Sequence, residues 1–209
     1  MSVAGGLRWA CAAVLLLASP STAASPKEIA PWLITPRGWE ADIAQPDEPG
    51  GRFVIEGRVL GAGDSVPLAG VTLYAYHADG KGWYALTRDA PYPRLAGVLR
   101  TDARGRYRVR SILPGMSEGQ PHVHFEAWGP NLAVTTWAVN LYMGPNEKPD
   151  RAWGHMASLR RLTMDPERTE TYVTRDAHGV FHASYDLRLD QGFPLPAHTD
   201  SLRRGLVAR

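Results

Sequence analysis

Thiols are almost missing from this 209-residue chain, whose one cysteine, Cys11, lies inside an N-terminal apolar run. Removal of that run would leave none, which excludes disulfides, thiolate metal sites and cysteine nucleophiles together. An excess of one charge is missing too: 23 Lys and Arg stand against 21 Asp and Glu, for a net charge of +2. The basic residues are scattered apart from Arg160-Arg161 and Arg203-Arg204. No basic stripe follows a phosphate backbone, so nucleic acid is not an expected partner. The longest apolar run covers residues 9–18, too short to span a bilayer. Helical periodicity is scarce, and only residues 150–162 read as helix-like, with a poor apolar period. What is plentiful is punctuation. With 21 Gly and 17 Pro, the chain reads as many short strands joined by turns.

The beginning of the chain reads as an export signal. Arg8 supplies a positive start, residues 9–18 an apolar core, and Ser19, Ser21, Thr22, Ala23 and Ala24 a small-residue cleavage region, so residues 1–24 are expected to be a signal peptide. A single Arg precedes the run, and Cys11 sits within it rather than at its end. The general secretory route is therefore expected over a twin-arginine or lipoprotein route, with a periplasmic or secreted product and no membrane span after processing. About 185 residues remain, enough to bury on the order of 70% of the unfolded chain's surface without disulfides.

Residues 25–51, rich in Pro, Gly and acids, are expected to be an N-terminal arm anchored by Trp32 and Trp39. Residues 52–190 are expected to be one domain, followed by a C-terminal tail over 191–209. Strands are predicted over 53–60, 71–77, 106–112, 121–128, 133–142, 170–175 and 181–189, with Asp79-Gly80-Lys81-Gly82 and Asp102-Ala103-Arg104-Gly105 as turns. About seven short strands at this spacing predict an all-β fold, an antiparallel β-sandwich.

The most informative stretch is Gln120-Pro121-His122-Val123-His124-Phe125-Glu126. In a strand, side chains alternate between faces, so His122 and His124 project together while Val123 and Phe125 point the other way. Two such imidazoles can converge on one metal. Phenols at Tyr74, Tyr76, Tyr84, Tyr92 and Tyr142 are available to join them, and a trivalent ion such as Fe(III) favours anionic oxygen beside imidazole. A tyrosinate-histidine iron site is chemically coherent. The other histidines, His77, His155, His178, His182 and His198, read as surface or turn residues.

The order of motifs resembles the intradiol ring-cleavage dioxygenases, the protocatechuate and catechol dioxygenase family. The resemblance is carried by Gly57-Arg58-Val59, Pro67-Leu68-Ala69-Gly70-Val71, Gly82-Trp83-Tyr84, Asp102-Ala103-Arg104-Gly105-Arg106-Tyr107, Ile112-Leu113-Pro114-Gly115, His122-Val123-His124 and Tyr185-Asp186-Leu187. It implies a β-sandwich with a non-haem Fe(III) that binds a small aromatic substrate, a catecholate, and directs O₂ insertion between its hydroxylated carbons. It places His122 and His124 on the histidine ligands and Tyr84 on the first tyrosine ligand. The family's second tyrosine follows the Pro-Gly turn, where Met116-Ser117-Glu118-Gly119-Gln120 carries no phenol. Gly119 or Gln120 stands where the family has an arginine, and Asn140 where a glutamine is usual. Tyr92 or Glu118 would then compensate, Glu118 by completing a two-histidine, one-carboxylate set typical of Fe(II). Arg88, Arg94 or Arg100 would replace the guanidinium, and Trp83 and Trp128 would either wall an aromatic pocket or pack in the core.

Two function classes follow. One is an exported dioxygenase with a modified site, using Fe(III), or alternatively Fe(II) or Cu(II), on an aromatic substrate and O₂, as an oligomer or a monomer. The other is a module without turnover that holds a metal or an aromatic ligand on the same scaffold.

Overall fold

A computed structural model describes residues 34–63, 65–85, 92–129, 132–159, 163–165 and 168–194. The expected signal peptide, Trp32, Arg88, Arg160-Arg161, His198 and residues 195–209 lie outside the described residues. Among the described residues, no helix is long and apolar enough to cross a membrane.

The chain is all-β. Its strands are β1 (Glu40–Asp42), β2 (Arg52–Leu60), β3 (Thr72–His77), β4 (Leu95–Arg100), β5 (Arg106–Ile112), β6 (His122–Gly129), β7 (Leu132–Met143), β8 (Glu170–Arg175), β9 (Phe181–Ser184), β10 (Leu187–Arg188) and β11 (Phe193–Pro194). They form one hydrogen-bonded path in the order β1-β5-β2-β9-β8-β7-β6-β3-β4, with β10 beside β2 and β11 beside β7. The path curls until its ends approach: the Arg100 N–H, at the end of β4, donates to the Gly38 carbonyl at 2.7 Å, two residues before β1. Most pairs are antiparallel, as expected, but β1–β5, β2–β9, β2–β10 and β7–β8 are parallel. The β7–β8 pair needs a crossover, and a 3-10 segment, Arg151–Ser158, supplies part of it. Its two buried residues, Trp153 and Met156, stand on either side of Gly154 (φ 52°, ψ −132°), where the segment kinks out of helical geometry.

Alternation along the strands builds the core. Phe53, Ile55 and Val59 from β2, Leu73 and Ala75 from β3, Val123 and Phe125 from β6, and Val139 and Leu141 from β7 join one buried cluster. The predicted strand over 181–189 is two strands, β9 and β10, because the chain crosses over β2 between them. At the crossing a Cβ on Gly57 would overlap the Tyr185 carbonyl oxygen, so only glycine fits beneath it. The Tyr107 hydroxyl donates to that same carbonyl at 2.7 Å.

Candidate functional site

β6 divides its side chains as alternation requires. Val123 and Phe125 have no exposed surface, whereas His122 and His124 leave the core on the opposite face. Antiparallel register sets Asn140 of β7 across from His122 and Ala138 across from His124. On the other flank Tyr76 of β3 pairs with His124, and its ring stacks on that imidazole with centroids 4.7 Å apart and planes 14° from parallel. The small side chain of Ala138 leaves a cavity of about 340 Å³, lined by Gln120, His122, His124 and Asn140 with Glu118 and Gly119.

Tyr84 reaches the same face from a tight turn. Asp79 Oδ1 accepts the backbone N–H groups of Lys81 (2.9 Å) and Trp83 (3.0 Å), and the Asp79 carbonyl accepts those of Gly82 and Gly115, both at 2.9 Å. Gly82 has φ 88°, and a Cβ there would run into the Met116 carbonyl. The Tyr84 carbonyl accepts the Arg94 N–H at 2.7 Å. Arg94 in turn forks onto the carboxylate of Glu48, with Nη2 2.8 Å from Oε1, and reaches Asp79 at 3.4 Å.

Three polar atoms therefore meet. The Tyr84 hydroxyl is 2.7 Å from His122 Nε2 and 2.9 Å from His124 Nε2, and the two Nε2 atoms are 2.9 Å apart. His122 Nδ1 lies 2.9 Å from the Gln120 carbonyl, which can only accept, so the proton sits on Nδ1 and Nε2 presents its lone pair to the cluster. Burial, then the neighbouring His122, lowers the His124 pKa to about 4, so the His124 imidazole is neutral near pH 7. Burial raises the Tyr84 phenol above its ordinary value, with the Ser117 hydroxyl opposing and the Glu118 charge adding. The group fits a metal: donors held at about 2.0–2.1 Å from one ion and at right angles stand about 2.9 Å apart. Among the described residues no three His, Cys, Asp or Glu side chains form a set able to hold a metal ion; the group that meets the two imidazoles here is a phenol.

The segment after Pro114-Gly115 is a two-residue hairpin turn. Ser117 and Gln120 exchange backbone hydrogen bonds, at 3.0 Å and 3.4 Å, around Glu118 (φ 52°) and Gly119 (φ 94°). Positive φ at both central residues is the type I′ pattern. Glu118 is exposed at its tip and does not join the histidine pair. Tyr92, half-buried on the segment entering β4, is not among the cavity-lining residues. Arg94 is committed to Glu48 and Asp79, and exposed Arg100 donates to the Gly70 carbonyl, so neither supplies a guanidinium to the cavity. Trp83 is exposed and Trp128 is buried with Tyr74 and Val134, so of the two roles open to Trp128, pocket wall or packing, it takes packing. His77 corrects an expectation: it is 1% exposed, not a surface residue.

Residue-by-residue reasoning named Tyr142 only as a phenol available to a metal and Gln120 only as standing at the arginine position, and missed that the Tyr142 hydroxyl donates to Gln120 Oε1 at 2.9 Å. It also missed Tyr76 as the ring stacked on His124. Strand parity was the available signal, since Asn140 and Tyr142 are two apart on β7, as His122 and His124 are on β6.

Two curated relatives are catechol 1,2-dioxygenases of Acinetobacter lwoffii. Catechol 1,2-dioxygenase 1 is 33% identical over 147 residues, 60% of this chain and 45% of its own length. Catechol 1,2-dioxygenase 2 is 32% identical over 114 residues, 45% of this chain and 41% of its own length. A family model described as Dioxygenase matches residues 39–147, just over half of the chain. The chain belongs to the intradiol dioxygenase family. Among solved structures, the intradiol chain is similar to the dioxygenase domain of a dioxygenase carbohydrate-binding protein fusion from Streptomyces sp. SirexAA-E. The TM-score is 0.50 and the identity 26%, over 74% of this chain and 87% of that one. The chain spans less than half the length of the curated relatives it matches.

Proposed function

We propose that this intradiol-family chain is an exported dioxygenase that holds iron through Tyr84, His122 and His124 and opens the ring of a small catecholic or related phenolic substrate with O₂. The observation that carries the reading is the meeting of one phenol and two imidazoles within 2.7–2.9 Å of one another on a sheet face that also lines a cavity. On this reading the two halves of the curled sheet path correspond to the two layers of the family's sandwich. Fe(III) bound there would supply the Lewis-acid and electron-exchange chemistry that joins a catecholate to O₂, and Fe(II) and Cu(II) are the alternatives the same donors accept.

The chain's own residues do the rest. The Gln120 carbonyl fixes the tautomer of His122, and the Tyr76 ring fixes the plane of His124. Tyr84 must release its proton when it becomes a ligand, so uptake of metal releases acid. Asn140, on the cavity lining, is placed to touch a bound ring. Metal analysis with a visible spectrum tests the assignment: the reading expects about one iron per chain and a visible absorption band, with oxygen uptake on a catecholic substrate. A colourless protein that takes up no iron would leave the module without turnover as the function.

A further inference from the structure

Inside the cavity lining, one donor has nothing to donate to. Gln120 Nε2 is buried and, among the described residues, has no hydrogen-bond partner, although its own amide oxygen is held by the Tyr142 hydroxyl at 2.9 Å. A buried amide N–H without a partner carries a desolvation penalty of about 1–3 kcal/mol, so such a group is retained where something fills the position. Water or a ligand oxygen would do so. The surroundings say which is favoured. Gln120 lines the cavity together with His122, His124 and Asn140, and its backbone is clamped by the Ser117 to Gln120 turn. Its carbonyl also holds His122 Nδ1 at 2.9 Å. A donor fixed this firmly, two residues from an imidazole of the cluster, is preorganised for an anionic oxygen. Among the described residues Arg94 and Arg100 are turned to other partners, so negative charge entering here meets the amide rather than a guanidinium.

We propose that Gln120 is the substrate-positioning residue of this site: its amide N–H, braced by Tyr142, accepts no proton and breaks no bond, but donates to a negatively charged oxygen of a bound catecholate. This rests on the reading of the site as a metal-assisted catechol site. Tyr142 O–H donation to Oε1 polarises the amide and strengthens the Nε2–H donor. The preference is therefore for ligands with an ionised oxygen beside the metal-bound one, and a phenol lacking a second hydroxyl loses this contact.

The test uses the full chain loaded with iron, titrated with catechol without oxygen and followed by calorimetry and the visible spectrum. Gln120→Leu keeps the backbone carbonyl that orients His122, so iron content and the spectrum of the ligand-free protein should match the parent. Catechol affinity should fall about 10- to 100-fold, the worth of a hydrogen bond to a charged group. Gln120→Glu places an acceptor where the donor was and should weaken binding further than Gln120→Leu. Tyr142→Phe removes the brace and leaves the donor, so it should weaken binding by less than Gln120→Leu. Equal catechol affinity in the parent and Gln120→Leu proteins, with iron retained, would overturn the inference and leave the site reading intact. A parent protein that holds iron but binds no catechol would overturn both.

Discussion

Two buried histidines of this protein do different work, and what their ring nitrogens touch tells them apart. His122 spends Nδ1 on a carbonyl and turns Nε2 to the cluster. His77 spends both: Nδ1–H donates to the Ala78 carbonyl at 2.6 Å, and the Ser111 hydroxyl donates to Nε2 at 2.7 Å. It is therefore a structural group, held neutral, and burial lowers its pKa from 6.5 to about 4. Below pH 6.5 the unfolded chain binds a proton that the folded chain refuses. Stability is present in full above that pH and is lost as pH falls through the window to about 4, by a total on the order of 3 kcal/mol. Denaturant melts of the parent and His77→Gln at pH 7 and pH 4.5 check this. The variant should be less stable at pH 7 yet lose less on acidification, and parallel losses would refute the assignment. At the cluster itself, His122→Ala, His124→Ala and Tyr84→Phe should each weaken iron binding by more than about tenfold, read as iron per chain after dialysis. The far-ultraviolet dichroism should be unchanged, because all three side chains lie on the face away from the core. Full stoichiometry in all three would place the metal elsewhere.

At the scale of elements, the turn that delivers Tyr84 is the sensitive part. Gly82 combines positive φ with close approach to the Met116 carbonyl, so Gly82→Ala strains the backbone by about 1–3 kcal/mol and pushes apart the Tyr84 turn and the 116–120 segment. Its expected result is a lower melting temperature together with reduced iron content. Normal iron content in a folded Gly82→Ala protein would show that the turn does not govern the position of the phenol. How much of this was legible differs by element. The β6 pattern could be read directly, because parity alone separates His122 and His124 from Val123 and Phe125. Tyr84 could not be placed by pattern, since its turn depends on a carbonyl more than thirty residues away, and resemblance to a family supplied what periodicity lacked. The 117–120 hairpin was hidden because Glu118 sits at positive φ, where Asn, Asp or Gly is the usual signal. Strand β4 was hidden by Gly97, which reads as a breaker but lies under Ile43, where a Cβ would stand 2.7 Å from Cγ2. The poor period of residues 150–162 was accurate information, because Gly154 breaks the 3-10 segment with non-helical backbone between Trp153 and Met156 and no single helical period relates the two.

Across the whole molecule, residues in the stretch expected to be an arm complete the structure. β1 lies beside β5, Glu40 bridges Arg108 and Arg110 at 2.9 and 2.6 Å, and the Trp39 ring packs against the guanidinium groups of Arg106 and Arg108. A few residues on, Glu48 ties the same segment to Arg94, which holds the Tyr84 carbonyl through its backbone N–H. The side chains of Arg94 and Glu48 are only 17% and 9% exposed, so this pair is shielded from solvent, unlike the ion pairs of the sheet surface. Arg94 lowers the Glu48 pKa. Its contribution is thus present above the ordinary carboxylate pKa and is lost as pH falls through the lowered one. Glu48→Gln keeps the shape and removes the charge, leaving Arg94 partly buried with only Asp79 at 3.4 Å. The expected loss is about 1–3 kcal/mol, below that of a fully buried pair. Because Glu48 touches no member of the cluster, its effect on iron must travel through Arg94 and the Tyr84 turn. Iron should therefore leave Glu48→Gln faster than the parent when a chelator is added at pH 7, and the difference should shrink as pH falls through the lowered Glu48 pKa and the parent's own carboxylate becomes protonated. A lower melting temperature with an unchanged rate of iron loss would mean that the segment supports the fold alone and that the site stands independently of it.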